Sequence, residues 1–354
     1  MKILHVSRTM GLGGAEKIVY QLCKDNVGFT QYVASSGGVY VHELESYGVQ
    51  HYLIPDIDRK YPLLILKTYF QLTSIIKKEK IDIIHTHHRM AAFYARILQC
   101  FNYTLKHVYT AHNVFYGKKH LLRFILKKST IVAVGEGVKN NLIMEYGISP
   151  NRIKVIYNTI DVGTKVNYKN PVIQKLKDGK AFVIGNIGRL STQKGIDVFI
   201  KAIKIAKVEC EELKAVIVGD GELRADLQEL VKSMELSDCI YFLGYQNHVL
   251  DIINQLEFVV LSSRWEGLPL TPIEAFSQGK TVIATNISGN NEIIINAENG
   301  LLFEKDNCKE LARCISKLYT NSQLKEKLEN NLKDNYLKKY SYQAFIKAYS
   351  QIYK

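Results

Sequence analysis

The chain has 354 residues, more than one compact hydrophobic core usually organises, which predicts two domains of ordinary size. Apolar residues make up 47% of the sequence and prolines number only six, a composition that excludes a disordered chain. The formal net charge of +13 predicts an anionic partner: a nucleic acid, a phosphorylated substrate or a lipid surface. No carboxylate occurs between residues 83 and 135, so this stretch is expected to form basic surface.

The first residues, MKILHVSRTMGLGG, offer too few consecutive apolar side chains for the core of a signal peptide. The longest apolar runs also fall far short of the roughly 18 residues that a membrane-spanning helix needs. We therefore expect a cytoplasmic protein. Its six cysteines are scattered without a CxxC pair and are expected to be reduced thiols.

The first half alternates short apolar runs with segments of helical periodicity, which predicts a βα series. Its helical segments are AEKIVYQLCKD, YPLLILKTYFQLTSIIKKEK, RMAAFYARILQC and EGVKNNLIMEYG. Its strand candidates, in chain order, are KILHVS, QYVASS, QHYLI, IDIIHTH, KHVYTAH, TIVAVG and IKVIYN.

Residues 166–178 lose both periods and are expected to form a linker between a first domain (1–165) and a second (179–339). The second half restarts the alternation, with strand candidates AFVIGNIG, KAVIVG, CIYFLG, EFVVLSS, KTVIAT and GLLFE. Two βα series predict the α/β class, with two doubly wound parallel sheets. Ligands of such sheets bind at the carboxyl ends of strands, so we expect the site in a cleft between the domains.

Two glycine-bearing turns have the composition of phosphate-binding turns. Gly11, Gly13 and Gly14 follow the first strand and open a helix, where backbone N–H groups and the helix dipole favour an anion. In the second half, Gly188 precedes Arg189 and Lys194, a fork and a point charge suited to a diphosphate. Turns without ligand and solvated cations are the alternatives. The first turn does not read GxGxxG and QYVASS ends without an acidic residue, which disfavours a dinucleotide enzyme.

With SSRWEGLPLTPIEAFSQGKTVIAT included, the chain resembles the retaining glycosyltransferases of family 4, which have the GT-B architecture of two Rossmann-like domains facing a cleft. Their E-x7-E motif matches Glu266 and Glu274. The other matching segments, in order over nearly the whole chain, are GLGGAE, IDIIHTH, TAHN, RIKVIYNTID, GRLSTQKG, VIVGDGELR and YFLGY. Their order and spacing specify the family but not the substrate.

The resemblance implies a nucleotide-sugar donor held mainly by the second domain, with a UDP-sugar favoured. Arg189 and Lys194 would neutralise the leaving diphosphate, Glu266 would bind donor sugar hydroxyls, and His112 of TAHN would reach the sugar. These four are the candidate catalytic residues. The candidate donor-binding residues are Gly13, Gly14, Gly188, Gly244, Tyr245, Gly267, Leu268, Leu270, Thr271 and Glu274.

The implied reaction moves a hexose or N-acetylhexosamine to a saccharide or polyprenyl-diphosphate-linked acceptor in surface polysaccharide or glycolipid synthesis. Positioned cations stabilise the leaving phosphate without a metal, and no DxD clamp is present in a suitable context, so no metal and no cofactor are expected. The family is thought to retain configuration with help from the leaving phosphate. The C-terminal helix, about residues 340–354, is expected to rejoin the first domain.

The two glutamates of the E-x7-E segment differ in their alternatives. Thr271, Pro272 and Glu274 fit a capping box, so a structural role for Glu274 is as well supported as ribose binding. Glu266 precedes a turn, and a solvated pairing with Arg264 is its plain alternative. We therefore expect substitution of Glu266 to be the cleaner test.

The sequence HTHHR at residues 85–89 places three histidines at a strand end, followed by a cation. This spacing lacks a carboxylate or a further ligand pattern, so packed or cleft-lining histidines are favoured over a metal site. The candidate acceptor-side residues are His87, Arg89 and Asn113.

The segment 116–129, YGKKHLLRFILKKS, mixes apolar and cationic residues. It fits an interfacial amphipathic helix at an anionic membrane and, equally, an ordinary surface helix. Membrane proximity would place the protein at the inner face of the cell membrane. No nucleic-acid-reading motif is present, and nucleic acid is not expected as a partner.

Two other classes of function stay open. A nucleotide-binding oxidoreductase or epimerase predicts a Tyr-x-x-x-Lys spacing that YGKKH and YLKKY do not provide. A non-catalytic nucleotide-sugar or lipid-surface binding module would keep every motif. The oligomeric state is not indicated.

Overall fold

The computed structural model describes residues 1–25, 28–102, 104–163, 167–332 and 339–354. The chain forms two compact units. The first unit comprises Met1–Thr159 together with Ser341–Lys354, and the second comprises Ile160–Tyr340.

The first unit is built on a parallel sheet. Its strands are β1 (Lys2–Val6), β2 (Thr30–Ser35), β3 (Gln50–Leu53), β4 (Ile83–Thr86), β5 (Lys106–Ala111), β6 (Thr130–Ala133) and β7 (Ile153–Val155). Over the described ranges, these seven strands lie in the order β3-β2-β1-β4-β5-β6-β7. The order reverses between β2-β1 and β4, as expected of a doubly wound sheet. The central strands are near-continuous apolar runs because helices cover both faces of the sheet.

The helices of this unit carry apolar faces toward the sheet. They are α1 (Gly14–Lys24), α2 (Tyr40–Ser46), α3 (Pro62–Glu79), α4 (Arg89–Phe101), α5 (Lys119–Ile125) and α6 (Glu136–Met144). Helix α1, for example, buries Ile18, Val19, Leu22 and Cys23 and directs its lysines outward.

The second unit also contains a parallel sheet. Its strands are β8 (Phe182–Ile187), β9 (Leu213–Val218), β10 (Ile240–Gly244), β11 (Val259–Leu261), β12 (Val282–Thr285) and β13 (Gly300–Phe303). These six strands, counted in the described part of the unit, lie in the order β10-β9-β8-β11-β12-β13. Its helices are α7 (Pro171–Asp178), α8 (Ile196–Ala206), α9 (Arg224–Ser233), α10 (Val249–Gln255), α11 (Leu270–Ser277), α12 (Cys308–Thr320) and α13 (Ser322–Asn330).

The last helix, α14 (Tyr342–Tyr353), belongs to the first unit although it follows the second in the chain. Its inward face buries Phe345, Tyr349 and Tyr353. The Tyr353 hydroxyl lies 2.8 Å from Nδ1 of His85 at strand β4. The helix therefore attaches by apolar burial and by a buried hydrogen bond to the central sheet.

The segment 166–178, expected to be a linker, instead contains helix α7 within the second unit. Asn170 caps the helix by accepting hydrogen bonds from the backbone N–H groups of Val172 and Ile173 at 3.0 and 3.3 Å. Pro171 occupies a first-turn position whose N–H would have no helical partner anyway. These start signals begin a helix of eight residues that buries Ile173. The expected boundary at 165–166 lies outside the described residues.

None of the helices in the described ranges combines the length and the apolar character needed to cross a membrane.

Candidate functional site

Two loops meet at the carboxyl edge of the second sheet because strands β8 and β11 are neighbours. The loop after β8 spans residues 188–195 and the loop after β11 spans residues 262–269. Arg264 N–H donates to Gln193 O at 2.7 Å, and Ser262 Oγ donates to Lys194 O at 3.1 Å. Gln193 Nε2 donates to Trp265 O at 2.9 Å. The two loops thus form one hydrogen-bonded ledge.

The ledge holds an ion pair between a partly exposed lysine and a buried carboxylate. Lys194 Nζ lies 2.6 Å from Glu266 Oε1, and Ser263 Oγ donates to the same oxygen at 2.7 Å. Glu266 is only 6% exposed, so its charge depends on these donors. The other carboxylate oxygen, Oε2, is 3.5 Å from Gln193 Nε2, a weak contact. Glu266 therefore keeps one oxygen with room for a further hydrogen-bond donor.

Arg264 does not pair with Glu266, so the solvated alternative for Glu266 is wrong. The Arg264 guanidinium contacts Asp197 Oδ2 at 2.8 Å and Asp306 Oδ1 at 2.7 Å, and it donates to Thr192 O at 2.9 Å. Hydrogen bonding to Asp197 raises the pKa of Arg264 above its ordinary value. Arg264 therefore links the ledge to Asp197 and Asp306, whereas Glu266 pairs with Lys194.

Arg189 stands at the end of β8 with an exposed side chain. In the part of the chain that the structure describes, its guanidinium forms no hydrogen bond or ion pair. The backbone around it is held: Gly188 N–H donates to Val218 O at 2.9 Å, and Leu190 N–H donates to Asp220 O at 3.0 Å. A free cation on a fixed backbone is suited to an anionic ligand.

The predicted capping box at Thr271 is absent. Helix α11 begins at Leu270 after an extended Pro269, and no side chain caps it. The Thr271 hydroxyl instead donates to Ile187 O at 3.5 Å. Pro272 lies in the first turn, where the missing N–H costs nothing, so the proline fits a helix that starts earlier than the sequence pattern indicated. Glu274 is thus buried in helix α11 without the N3 role of a capping box.

The remaining candidate donor-binding residues of the second unit lie around the same edge. Leu268 is buried and Leu270 partly buried in the segment that enters α11. Gly289 packs against Gly267. Its φ is +90°, and a Cβ added to Gly289 would lie only 2.4 Å from the carbonyl oxygen of Gly267. Only glycine fits there, so the loop after β12 packs directly under the E-x7-E segment.

Gly244 ends strand β10 with a φ of +67°, and its carbonyl accepts from Gly219 N–H at 2.8 Å. Tyr245, which follows, is 43% exposed. Because β9 separates β10 from β8, this pair lies two strands away from Arg189 along the edge.

In the first unit, the Gly13–Gly14 turn opens helix α1 as predicted, with Gly13 at the N-cap. The Glu16 side chain folds over it: a Cβ on Gly13 would lie 2.1 Å from Glu16 Oε2. Thr9 Oγ1 donates to Glu16 Oε1 at 3.0 Å. A carboxylate therefore already occupies the helix N-terminus at which a diphosphate was expected.

The histidines of HTHHR separate into two environments. His87 is buried against His85, whereas His88 caps helix α4 by accepting from Met90 N–H at 3.3 Å. His5 of strand β1, which motif reading did not select, completes the buried group, and one ring nitrogen of each of His5, His85 and His87 lies within 4.8 Å of the others. The sequence signal that could have identified His5 is a polar residue within an otherwise apolar strand.

The other first-unit candidates border this group. His112 Nε2 lies 3.0 Å from His87 Nδ1. The Arg89 guanidinium stacks over the Phe115 ring, 4.2 Å from its centroid. Asn113 follows His112, with its Oδ1 2.9 Å from Val114 N–H. His87, Arg89, His112 and Asn113 all follow strands β4 and β5, so they lie at the carboxyl edge of the first sheet.

Comparison with known proteins identifies the family. Residues 12–164 match the model for Glycosyltransferase Family 4, and residues 170–335 match the model for Glycosyl transferases group 1. An α-1,3-galactosyltransferase of Escherichia coli, named for UDP-Gal and a GlcNAc-diphosphoundecaprenol acceptor, is 29% identical over 86% of this chain and 84% of its own length. An N-acetyl-α-D-glucosaminyl L-malate synthase of Bacillus anthracis is 25% identical over 83% of this chain and 80% of its own length.

A solved structure shares the fold. The Anabaena protein Alr3699/HepE, crystallised with UDP-glucose, superposes with a TM-score of 0.86 at 20% identity, covering 100% of this chain and 99% of that one. Two parallel-sheet units, matched in order by two family models, confirm the predicted GT-B architecture. The chain belongs to the family 4 glycosyltransferases.

Proposed function

We propose that this glycosyltransferase moves a hexose or N-acetylhexosamine from a UDP-sugar to a saccharide or polyprenyl-diphosphate-linked acceptor. The observation that carries the proposal is the Lys194–Glu266 pair next to the unpaired Arg189 at one sheet edge. A cation pair and a hydrogen-bonding carboxylate are the groups that a sugar diphosphate requires. The donor named for the Escherichia coli relative and the UDP-glucose bound to the Anabaena protein support the choice of UDP.

In this proposal Arg189 and Lys194 have different roles. Arg189 takes the diphosphate with its guanidinium fork, and Lys194 uses one ammonium hydrogen for Glu266 and another for a phosphate oxygen. As the glycosidic bond breaks, negative charge grows on the phosphate within reach of both. Lys194 thus couples the leaving group to the carboxylate that grips the sugar.

The uncommitted oxygen of Glu266 accepts hydrogen bonds from donor sugar hydroxyls. Glu274, one turn into α11, takes the ribose, and the backbone at Gly244 and Tyr245 takes the base. The family resemblance assigns these three roles, and the common sheet edge of the second unit is consistent with them. His112 of the first unit contacts the transferred sugar, and His87, Arg89 and Asn113 serve the acceptor.

Retention of configuration at the anomeric carbon is part of the proposal. A carboxylate nucleophile must present a lone pair to that carbon, but Glu266 Oε1 accepts from Lys194 and Ser263, and this proposal commits Oε2 to the hydroxyls of the donor sugar. Hydrogen bonding of both oxygens lowers the nucleophilicity of the carboxylate. This supports same-face attack assisted by the leaving phosphate, as the resemblance implies.

We also propose that neither a metal nor a cofactor takes part, because Arg189 and Lys194 supply two positive charges for the diphosphate. The test incubates the protein with labelled UDP-, GDP- and ADP-sugars, with and without EDTA. Transfer or donor hydrolysis with EDTA present is expected for a UDP-sugar, and NMR of the product gives its anomeric configuration. Loss of turnover in EDTA that Mg²⁺ or Mn²⁺ restores would contradict metal independence, and binding without turnover would favour a binding module.

A peripheral position at an anionic membrane completes the proposal. Helices α3, α4 and α5 pack side by side, and Tyr69 and Phe101 approach to 6.3 Å between ring centroids. These helices form one flank of the first unit and expose four large apolar side chains. The exposed fractions are 81% for Leu63, 63% for Phe70, 77% for Phe101 and 54% for Phe124. Exposed cations surround the α5 end of this flank: Lys118, Lys119, Arg123, Lys127 and Lys128.

Helix α5 has features of both alternatives that the sequence left open, a surface helix packed on its unit and an interfacial helix with exposed apolar residues. Leu122 and Ile125 are buried in the unit, whereas Leu121 and Phe124 face outward. We expect co-sedimentation with phosphatidylglycerol vesicles at low salt, weakened by a Leu121→Ser, Phe124→Ser variant. Val208→Ser, at an 82% exposed site in the second unit, is the control. Equal binding to phosphatidylcholine vesicles would contradict the preference for an anionic surface, and binding to neither would contradict membrane association.

A further inference from the structure

Four side chains of the first unit form a row of hydrogen bonds that ends at His112. Gln31 Oε1 lies 2.8 Å from His5 Nε2. His5 Nδ1 lies 3.0 Å from His87 Nε2, and His87 Nδ1 lies 3.0 Å from His112 Nε2. These residues come from, or directly follow, strands β2, β1, β4 and β5, which are consecutive in the sheet. We refer to Gln31, His5, His87 and His112 as the histidine row.

The row has a direction, because its first member can only accept at the oxygen it presents. An amide oxygen has no hydrogen to give, so His5 Nε2 must be the donor. A neutral imidazole carries a single N–H, which leaves His5 Nδ1 as an acceptor. His87 then donates through Nε2 and accepts through Nδ1, and His112 donates through Nε2. The Gln31 amide therefore sets the tautomer of each ring in turn.

This tautomer pattern requires neutral rings, and their surroundings keep them neutral at pH 7. Burial lowers the pKa of His5 to about 4 and the pKa of His112 to about 3. Burial also holds the pKa of His87 well below its ordinary value, with a further contribution from the neighbouring histidines. One row therefore contains three neutral imidazoles, and a proton on any of them would break its pattern.

The last ring ends the row at the carboxyl edge of the sheet. His112 directly follows strand β5 and is partly exposed. Among the residues that the structure describes, no group pairs with its Nδ1. This nitrogen is the lone-pair end of the row, so it can accept a hydrogen bond from a ligand but cannot give one.

We propose that Gln31, His5 and His87 are positioning residues that hold His112 in the Nε2–H tautomer, so that its Nδ1 accepts from a hydroxyl group of the substrate. The inference rests on the proposed function in taking that hydroxyl to belong to the transferred sugar. The proposed tautomer also predicts which class of sugar the site prefers. A lone pair attracts an O–H and repels a carboxylate, so a neutral sugar is preferred over a uronic acid carrying its carboxylate at the contacted position.

His85 belongs to a separate branch and leaves the row intact. Its Nδ1 lies 2.8 Å from the Tyr353 hydroxyl, and its Nε2 lies 2.8 Å from Thr110 Oγ1. Since His5, His85 and His87 also have the proximity of a metal site, Zn²⁺ binding is the competing reading of this cluster. A metal would take the nitrogens that link His5 to His87 and would abolish the row.

The direct test is a long-range ¹H–¹⁵N spectrum of the full chain labelled with ¹⁵N-histidine, with signals assigned by single substitutions. His5, His87 and His112 should each show the Nε2–H pattern at neutral pH. Gln31→Leu should turn His112 into a mixture of tautomers, whereas Gln31→Glu keeps an acceptor oxygen and should preserve the pattern at pH 8, where His5 stays neutral beside the new carboxylate. His107→Gln is the matched control, because His107 is equally buried but its two ring nitrogens are bonded to Thr86 and Ser129, outside the row.

Activity gives a second readout. Gln31→Leu should lower kcat by about tenfold, the loss expected when one oriented hydrogen bond is no longer assured, and Gln31→Glu should recover most of it. Donor KM should change less than kcat. An Nδ1–H signal for His112, an unchanged His112 tautomer in Gln31→Leu, or stoichiometric Zn²⁺ shifting the signals of His5, His85 and His87 would each overturn the proposal. The predicted tautomers in a protein that turns over no sugar donor would support the row and overturn the proposed function.

Discussion

Lys194 and Glu266 form an ion pair of 2.6 Å at the candidate donor site, so the residue expected on the diphosphate is bound to the residue expected on the sugar. This relationship reverses the ranking of the two glutamates. Glu266, expected to be the cleaner mutation, is buried with a charged partner, whereas the capping box that complicated Glu274 is absent. Tests at Glu266 must therefore separate binding from folding.

The first prediction concerns this pair. Lys194→Met leaves the Glu266 carboxylate buried with Ser263 and Gln193 as its neighbours, and should destabilise the second unit by about 2 kcal/mol. Lys194→Met combined with Glu266→Gln should restore much of that stability, because no unpaired charge is left, but should not restore transfer. Urea unfolding followed by the fluorescence of Trp265, the single tryptophan of the chain, measures the first effect. Stability that adds independently for the two changes would contradict the coupling.

The second prediction concerns Arg189. Its exposed guanidinium supports nothing in the described fold, so Arg189→Ala should change stability by less than about 0.5 kcal/mol. Turnover should fall by about 100-fold to 1,000-fold, as when one preorganised electrostatic donor is removed. Arg313→Ala, at an exposed arginine on helix α12, is the control and should leave both quantities unchanged. Near-normal turnover in Arg189→Ala would remove this residue from the site.

The third prediction concerns Glu16, whose carboxylate lies over the Gly13 turn. If that turn covers the diphosphate, Glu16→Gln removes a repulsion worth about 0.3–1 kcal/mol and should lower the donor KM about twofold to fivefold. The same substitution weakens the helix-dipole contact and slightly lowers the stability of α1. Glu45→Gln, on the exposed side of helix α2, is the control. A raised donor KM in Glu16→Gln would show that the carboxylate assists the site and that the turn does not cover an anion.

The fourth prediction concerns acid. Burial lowers the pKa of His5 to about 4 and of His107 to about 3, below the 6.5 of an exposed histidine. The unfolded chain therefore takes up protons first, so stability is complete above pH 6.5 and is lost as the pH falls below it. Between pH 7.5 and about 4.5, each of these two histidines should remove about 2.5 kcal/mol from the first unit.

Hydrogen exchange of strand β5 measures this loss without relying on the second unit. In His107→Gln, whose amide can still bond Thr86 and Ser129, the decrease over the same pH range should be smaller by about 2.5 kcal/mol. Identical pH dependence in the two proteins would show that His107 is not the neutral buried group described.

Most of the fold was predictable because buried parallel strands are short apolar runs, and each predicted run contains an observed strand. Helix α7 was missed because its eight residues are too few to establish a helical period, although Asn170 and Pro171 are start signals. The start of α11 was misplaced because a first-turn proline fits more than one N-terminal frame, and only the Thr271 hydroxyl bond to Ile187 distinguishes them.

The candidate residues could be selected from sequence, but their partners could not. Glu266 meets Lys194 across 72 positions because β11 lies beside β8, skipping the two strands between them in the chain. His5 meets His87 across 82 positions for the same kind of reason. Strand order in a doubly wound sheet decides such pairs, and no local pattern encodes it.

Because helix α14 follows the second unit in the chain, the two units become complete at different times during synthesis. The second unit is complete in the chain before residue 341, but the first still lacks the residues that cover His85 and Phe29. While the ribosome translates the intervening residues, the face of the N-terminal sheet that includes His85 and Thr110 lacks its helical cover, and incompletely packed chains of this kind are prone to aggregation. The helix that closes this face therefore determines when the nascent N-terminal half stops being vulnerable, and a ribosome stalled before it would release a sheet without its cover.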